Sequence, residues 1–220
     1  MNKGTRRILL GSALVLLAAA PLEEPELLAF PYAMSIGADR VYSTEPLSHA
    51  QIAPILGRAN ALAGASPIAR GAEGRHIFLT SGDWRWRWLA GTSHGAFAFT
   101  RPFAEAVIVN RADLAGDRVY NGAAIAGERS LSGVIAHEKC HGMVRRHFGL
   151  VRAQIAPTWL LEGYCDHVAQ DSSLTETQAR TLEAKGIWHP AIPYLRGRQK
   201  VAVLLAANGG NVDRLFEEAR

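Results

Sequence analysis

The spacing of apolar residues changes near residue 130, and that change limits the folds open to this chain. Before it, apolar residues come in short runs: "HIFLT" (76–80), "GAFAFT" (95–100) and "AEAVIVN" (104–110). Runs of this length, rich in β-branched and aromatic residues, form strands. The last two, separated by "RPF", read as a hairpin at the edge of a small sheet. After residue 130 the period lengthens. "SLSGVIAHEKCHGMVRRHFG" (130–149) is a long helix stopped by Gly149, and "PTWLLEGYCDHVAQD" (157–171) is a second. "TETQARTLEAKG" opens with Thr175 and Gln178 in capping-box spacing, and "YLRGRQKVAVLLAANGG" and "NVDRLFEEA" add two more helices. Strands first and helices later predict an α+β fold, with a small N-terminal mixed sheet followed by a helical half.

Earlier in the chain, "VYS" (41–43) is a strand candidate, and "SHAQIAPILGRANALAGA" has helical spacing after Ser48 despite Pro54. The segment "SGDWRWRWLAG" has no clear period and reads as a short helix or a loop. If it is extended, Trp84, Trp86 and Trp88 share one side, as a binding lip, a membrane-interface patch or core.

The N-terminus reads differently from the rest. "MNKGTRR" is basic, and residues 8–20 are an uncharged apolar run, the shape of a secretory signal. Pro21 directly follows Ala18-Ala19-Ala20 and obstructs cleavage, so the alternative is a short uncleaved anchor. Either way Lys3, Arg6 and Arg7 stay inside and the remainder is exported, periplasmic, extracellular or tied to the membrane. Residues 21–35, with prolines at 21, 25 and 31, read as a linker, which leaves 36–220 as one domain. The net charge of +4 comes from scattered basic residues, which argues against a nucleic-acid groove.

Within the long helix stands "HEKCH" (137–141). His137 and His141 are one turn apart and can offer two imidazoles to one ion. Glu138 is turned about 100° from His137, beside such an ion and not on it, where a general base for water would sit. Catalytic zinc sites use three protein ligands and keep one position open. His147 is one candidate for the third ligand. On a continuing helix it points about 120° away from His141, which leaves it as a residue near the helix C-terminus. Glu162 is the other, on the second helix, 21 residues after His141. Asp166 lies one turn beyond it, placed to accept the free ring N–H of His137.

"HEKCH … WLLEGYCDHV" resembles the gluzincin clan of zinc metallopeptidases, which includes thermolysin and the zinc aminopeptidases. The resemblance is specific over 131–169. It implies a zincin-like fold, compact and single-domain, with Zn2+ held by His137, His141 and Glu162. Glu138 is then the general base and Asp166 the acidic partner of a ligand histidine. Leu161 stands where aminopeptidase members have Asn, so aminopeptidase specificity is not implied. Family members often have small residues at positions 140 and 165. Cys140 and Cys165 stand there instead, either as a disulfide or as two buried thiols, the commoner outcome.

The clan stabilises the oxyanion with a Tyr or His from its C-terminal half. Here the candidates are Tyr194, His189 and Arg196, with Tyr194 preferred. His94 precedes the edge strand as a cleft candidate, while Tyr164 and His167 point off the ligand face. An extended peptide could add to the sheet edge at "GAFAFT" or "AEAVIVN". The expectation is zinc-dependent hydrolysis of a peptide or protein substrate. The alternatives are a zinc-binding protein without catalysis and a hydrolase of a non-peptide substrate.

Overall fold

A computed structural model describes residue 20 and residues 24–71, 73–101 and 103–218. The segment 1–20, read as a signal or anchor, lies outside these except for Ala20. No helix among the described residues is long and apolar enough to cross a membrane.

The fold is α+β, with a seven-stranded mixed sheet in the N-terminal half followed by helices. β1 (Tyr32–Ile36) and β2 (Asp39–Ser43) form an antiparallel hairpin. β2 runs parallel to β3 (His76–Thr80), and β3 runs parallel to β5 (Val107–Asp113). Helix α1 (His49–Gly64) makes the first crossover; α2 (Trp84–Ala90) and β4 (Ala98–Thr100) lie within the second. Along its other side β5 is shared. β4 pairs antiparallel with Val107–Val109, and β6 (Arg118–Tyr120) pairs with Arg111–Asp113. β7 (Glu128–Ser130) pairs with β6 at the far edge.

The strand alternation sorts the core into two faces. Val41, Ile77, Leu79, Val107 and Val109 face Ile52, Ile55, Leu56 and Ala59 of α1, with Leu131, Val134 and Ile135 of α3 (Leu131–Phe148). Phe78 and Ile108 face the other way, onto Trp86 and Leu89 of α2 and Leu28. The remaining helices are α4 (Leu150–Ile155), α5 (Thr158–Ala169), α6 (Glu176–Ala184), α7 (Ala191–Ala207) and α8 (Val212–Glu218). Met143 and Val144 of α3, Leu160 and Tyr164 of α5, Val201 and Leu205 of α7, and Leu215 and Phe216 of α8 build a second core there.

Several expectations need correction. The stretch 21–35 is not all linker: Pro25–Leu28 is a 3-10 turn with Leu28 buried, and β1 begins at Tyr32. Phe30 packs edge-on against Phe78 at 5.1 Å, so the folded unit starts before residue 36. Of the readings open for "WRWRWLA", the short helix is the one that forms, and the extended arrangement of its tryptophans does not. The Asp83 carboxylate accepts from the Arg85 and Trp86 amides and starts the helix, so the three indoles do not share a side. "AEAVIVN" supplies β5, an interior strand, which leaves β4 as the open edge of that hairpin. α4 escaped notice because Gly149 does end α3, with φ 87°, and a new helix starts directly after it.

Cys140 and Cys165 form a disulfide, not a pair of thiols, and join α3 to α5 with their Cα atoms 5.4 Å apart. α5 in turn crosses α7 backbone to backbone. A Cβ on Gly163 would lie 2.5 Å from the Gly197 carbonyl carbon, and one on Gly197 would lie 2.6 Å from the Trp159 carbonyl oxygen. Gly163→Ala is therefore expected to destabilise the fold by about 2–3 kcal/mol, the cost of overpacking against backbone. Gly57→Ala, on an exposed turn of α1 with open space around it, is expected to gain about 0.5–1 kcal/mol. Denaturant unfolding of the two variants measures both; equal effects would mean that the α5–α7 crossing yields to a methyl group.

Candidate metal centre

α3 starts where the Ser130 hydroxyl accepts the Gly133 amide, and this sets the rotation of the helix beneath the sheet. One turn apart, His137 and His141 turn their Nε2 atoms toward each other at 3.1 Å. Glu162, on α5, brings one carboxylate oxygen to 3.2 Å from His137 Nε2 and the other to 3.7 Å from His141 Nε2. The three ligand atoms lie within 4.8 Å of one another, so these residues could hold a metal ion.

His137 Nδ1 lies 2.8 Å from Asp166 Oδ1. A ring hydrogen on that nitrogen leaves the Nε2 lone pair for the cluster. Asp166 accepts from Arg129 at 2.8 Å, and Arg129 also reaches Asp171 at 3.3 Å. Asp171 accepts from the Ser130 amide and hydroxyl at 3.2 and 3.1 Å. The cap that starts α3 and the carboxylate that orients His137 thus belong to one chain of contacts.

Glu138 stands outside the ligand set. The Thr100 hydroxyl on β4 lies 2.7 Å from Glu138 Oε2 and 3.0 Å from the Glu138 carbonyl oxygen. His137, Glu138, His141 and Glu162 line a cavity of about 740 Å3, together with residues 95–100 of the β4 strand and its approach, Arg129, Arg145, His189 and Tyr194. A separate hollow near Arg111 and Tyr120 lies away from these groups, and none of the histidines lines it.

The electrostatics follow from burial among carboxylates. Burial favours a neutral His137, but Asp166 and Glu162 outweigh it and push the ring up to about 10. His141 is lowered, because burial dominates over Glu162. Burial opposes the charge on Glu162, yet His141 and His137 hold it below the ordinary carboxylate range. Burial also opposes the charge on Asp166, and Arg129 and His137 hold that carboxyl low. The cation at neutral pH is thus His137, between Asp166 and Glu162.

Other candidates lie elsewhere. His147 pairs with Asp213 at 2.7 Å, outside the cluster. Arg196, on α7, is engaged by Glu176 and Glu183 of α6, each at 2.7 Å, and does not line the cavity. His94 contributes its carbonyl to the Trp86 indole N–H. Tyr164 is buried on the other side of α5, its hydroxyl 2.8 Å from Ser66, and both line a third hollow that His167 also borders. Sequence reasoning missed Arg129 and Thr100. Neither belongs to a spaced motif, and only the fold brings them to Asp166 and Glu138.

Comparisons with protein-family models, curated proteins and solved structures found no match.

Two outcomes are expected of metal binding. Glu162→Ala abolishes most of it, His147→Ala leaves it intact, and Asp166→Asn weakens it about 10–100-fold; equilibrium titration with zinc measures all three. Loss with His147→Ala and retention with Glu162→Ala would overturn the ligand set.

The second outcome concerns protons. A ligand histidine must be neutral, and His137 is protonated below about pH 10. Binding at pH 7 should then release about one proton, and affinity should fall about tenfold per pH unit on acidification. Calorimetry in buffers of different ionisation enthalpy counts the proton, and zero release would mean a neutral His137. In the metal-free chain, the raised His137 adds stability that is complete below its ordinary value of 6.5 and lost as pH rises through about 10.

Proposed function

We propose that this chain is a zinc-dependent hydrolase of peptide bonds, of the gluzincin type. The observation that carries this reading is the convergence of His137, His141 and Glu162 with Glu138 beside them, all on one cavity. Two imidazoles and a carboxylate suit zinc in a site that keeps one open position. The contact of His137 Nδ1 with Asp166 is the kind of support that orients a ligand histidine. Zinc held there would supply Lewis acidity, polarising a carbonyl and making water acidic near neutral pH.

The chain's own groups carry the rest. Glu138 takes the proton from the water that attacks the carbonyl carbon and delivers it to the leaving amine. Thr100 anchors one Glu138 oxygen and so fixes the direction of that transfer. Tyr194, raised by burial and by Glu162 and Asp166, stays protonated near neutral pH and is the candidate donor to the developing oxyanion. β4 pairs with β5 on one side and borders the cavity along its length. An extended peptide added to its open edge would carry its carbonyls past Glu138.

Glu138→Gln is expected to keep zinc and to leave the melting temperature nearly unchanged, while hydrolysis of unstructured peptides falls by about 10²-fold or more. Peptide-library cleavage with and without 1,10-phenanthroline is the assay. Equal, chelator-insensitive activity in the two proteins, or none on a broad peptide and ester panel, would sink the peptidase reading and favour a metal-binding protein without catalysis.

A further inference from the structure

Helix α2 divides its aromatic residues between inside and outside. Trp86, Leu89 and Ala90 are buried against the sheet, whereas Trp84 and Trp88 are 56% and 49% exposed. Arg87 is exposed between them, so positions i, i+3 and i+4 make one outward face of Trp, Arg and Trp. Two indoles on the outside of a seven-residue helix add nothing to the core. Indole and guanidinium together suit the headgroup layer of a bilayer, where the ring sits at the polar–apolar boundary and the cation meets lipid phosphate.

A second observation ties this face to the N-terminal segment. Arg85 ties α2 to the start of the described chain. Its Nε donates to the Leu28 carbonyl at 2.8 Å and its Nη2 to the Ala29 carbonyl at 3.0 Å, while its guanidinium lies 4.7 Å from the Trp84 ring centroid. Leu27, next to this junction, is 62% exposed. The uncharged run of residues 8–20 ends eight residues before Leu28. Eight residues span at most about 27 Å when fully extended. The actual reach is shorter, because the Glu24 amide bonds the Ala20 carbonyl at 2.9 Å and residues 25–28 are coiled. If residues 8–20 stay in the bilayer, α2 is held within that reach of its surface.

We propose that Trp84, Arg87 and Trp88 of α2, with Leu27, form a docking face for an anionic phospholipid surface, set beside the N-terminal anchor. The Trp86 indole bonds the His94 carbonyl at 3.1 Å, and the chain runs from there into β4 and the rim of the metal cavity. Docking would hold that rim near the bilayer, so peptide reaching it would come from chains lying at the membrane surface. The docking face rests on the reading of residues 1–20 as an uncleaved anchor and not on the hydrolase reading; the test involves no catalysis.

The test uses the full chain on mixed phosphatidylcholine–phosphatidylglycerol vesicles, with lipids brominated at shallow acyl positions as quenchers of tryptophan fluorescence. The expected result is co-flotation of protein and vesicles with strong quenching. Trp84→Phe/Trp88→Phe should still float yet lose more than about half of the lipid-dependent quenching, because these two indoles are the ones in contact. Arg87→Glu should reduce quenching on phosphatidylglycerol-containing vesicles and leave it unchanged on pure phosphatidylcholine. Circular dichroism verifies that the variants fold. Failure to float, or quenching of the double Phe variant equal to that of the wild type, would overturn the proposal.

Discussion

A helix buried around its circumference can carry polar side chains only if each meets a partner inside the protein, since an unpaired buried polar group costs about 1–3 kcal/mol. α3 is such a helix: residues 131–140 are all buried. Its polar side chains leave it in different directions and each reaches a different element. Ser132 bonds Asp117 in the β5–β6 turn, and Glu138 meets Thr100 on β4. His137 meets Asp166 and Glu162 on α5. Lys139, fully buried, pairs with Asp39 of β2 at 2.6 Å and also with Asn60 of α1. The fold around α3 is thereby fixed by polar matching as well as by apolar packing, and rotating the helix would break all four matches together.

The Lys139 pair shows what this costs and what it brings. Burying an ion pair seldom adds net stability, but removing one partner leaves a bare charge inside, at about 3–5 kcal/mol. Asp39 is fully engaged, accepting from the Arg75 amide and from Asn60 as well as from Lys139. On α3, Lys139 lies between His137 and His141, directed away from the cavity and toward the sheet. One residue therefore holds the ligand-bearing helix against β2 without entering the site.

Much of this was legible in the sequence where a period repeats. The β3 run 76–80, the capping box at Thr175 and Gln178, and the helices at 131–148 and 158–169 follow directly from spacing. His137 with His141, and Glu162 with Asp166, were readable as pairs because i and i+4 on a helix fix a common face; that the two pairs meet was an expectation from the family resemblance. The three-residue strands β6 and β7 were not, being too short to show alternation. The mixed pattern of β1, an edge strand with little burial, hid it inside an apparent linker. Arg129, Thr100 and the Lys139–Asp39 pair join residues 37 to 100 positions apart, and no local pattern records a meeting of that kind.

The disulfide between Cys140 and Cys165 lies inside the candidate centre: Cys140 adjoins His141, and Cys165 is three residues beyond Glu162. The two helices that carry His137, His141 and Glu162 are thus covalently joined at the level of these residues. Such a bond forms only where thiols are oxidised. A reduced chain would have to keep α3 and α5 in register by packing alone. Where oxidation precedes the arrival of an ion, His137, His141 and Glu162 are already held on helices at a fixed spacing. A chain kept reduced would carry the same residues at this centre without that covalent spacing between them.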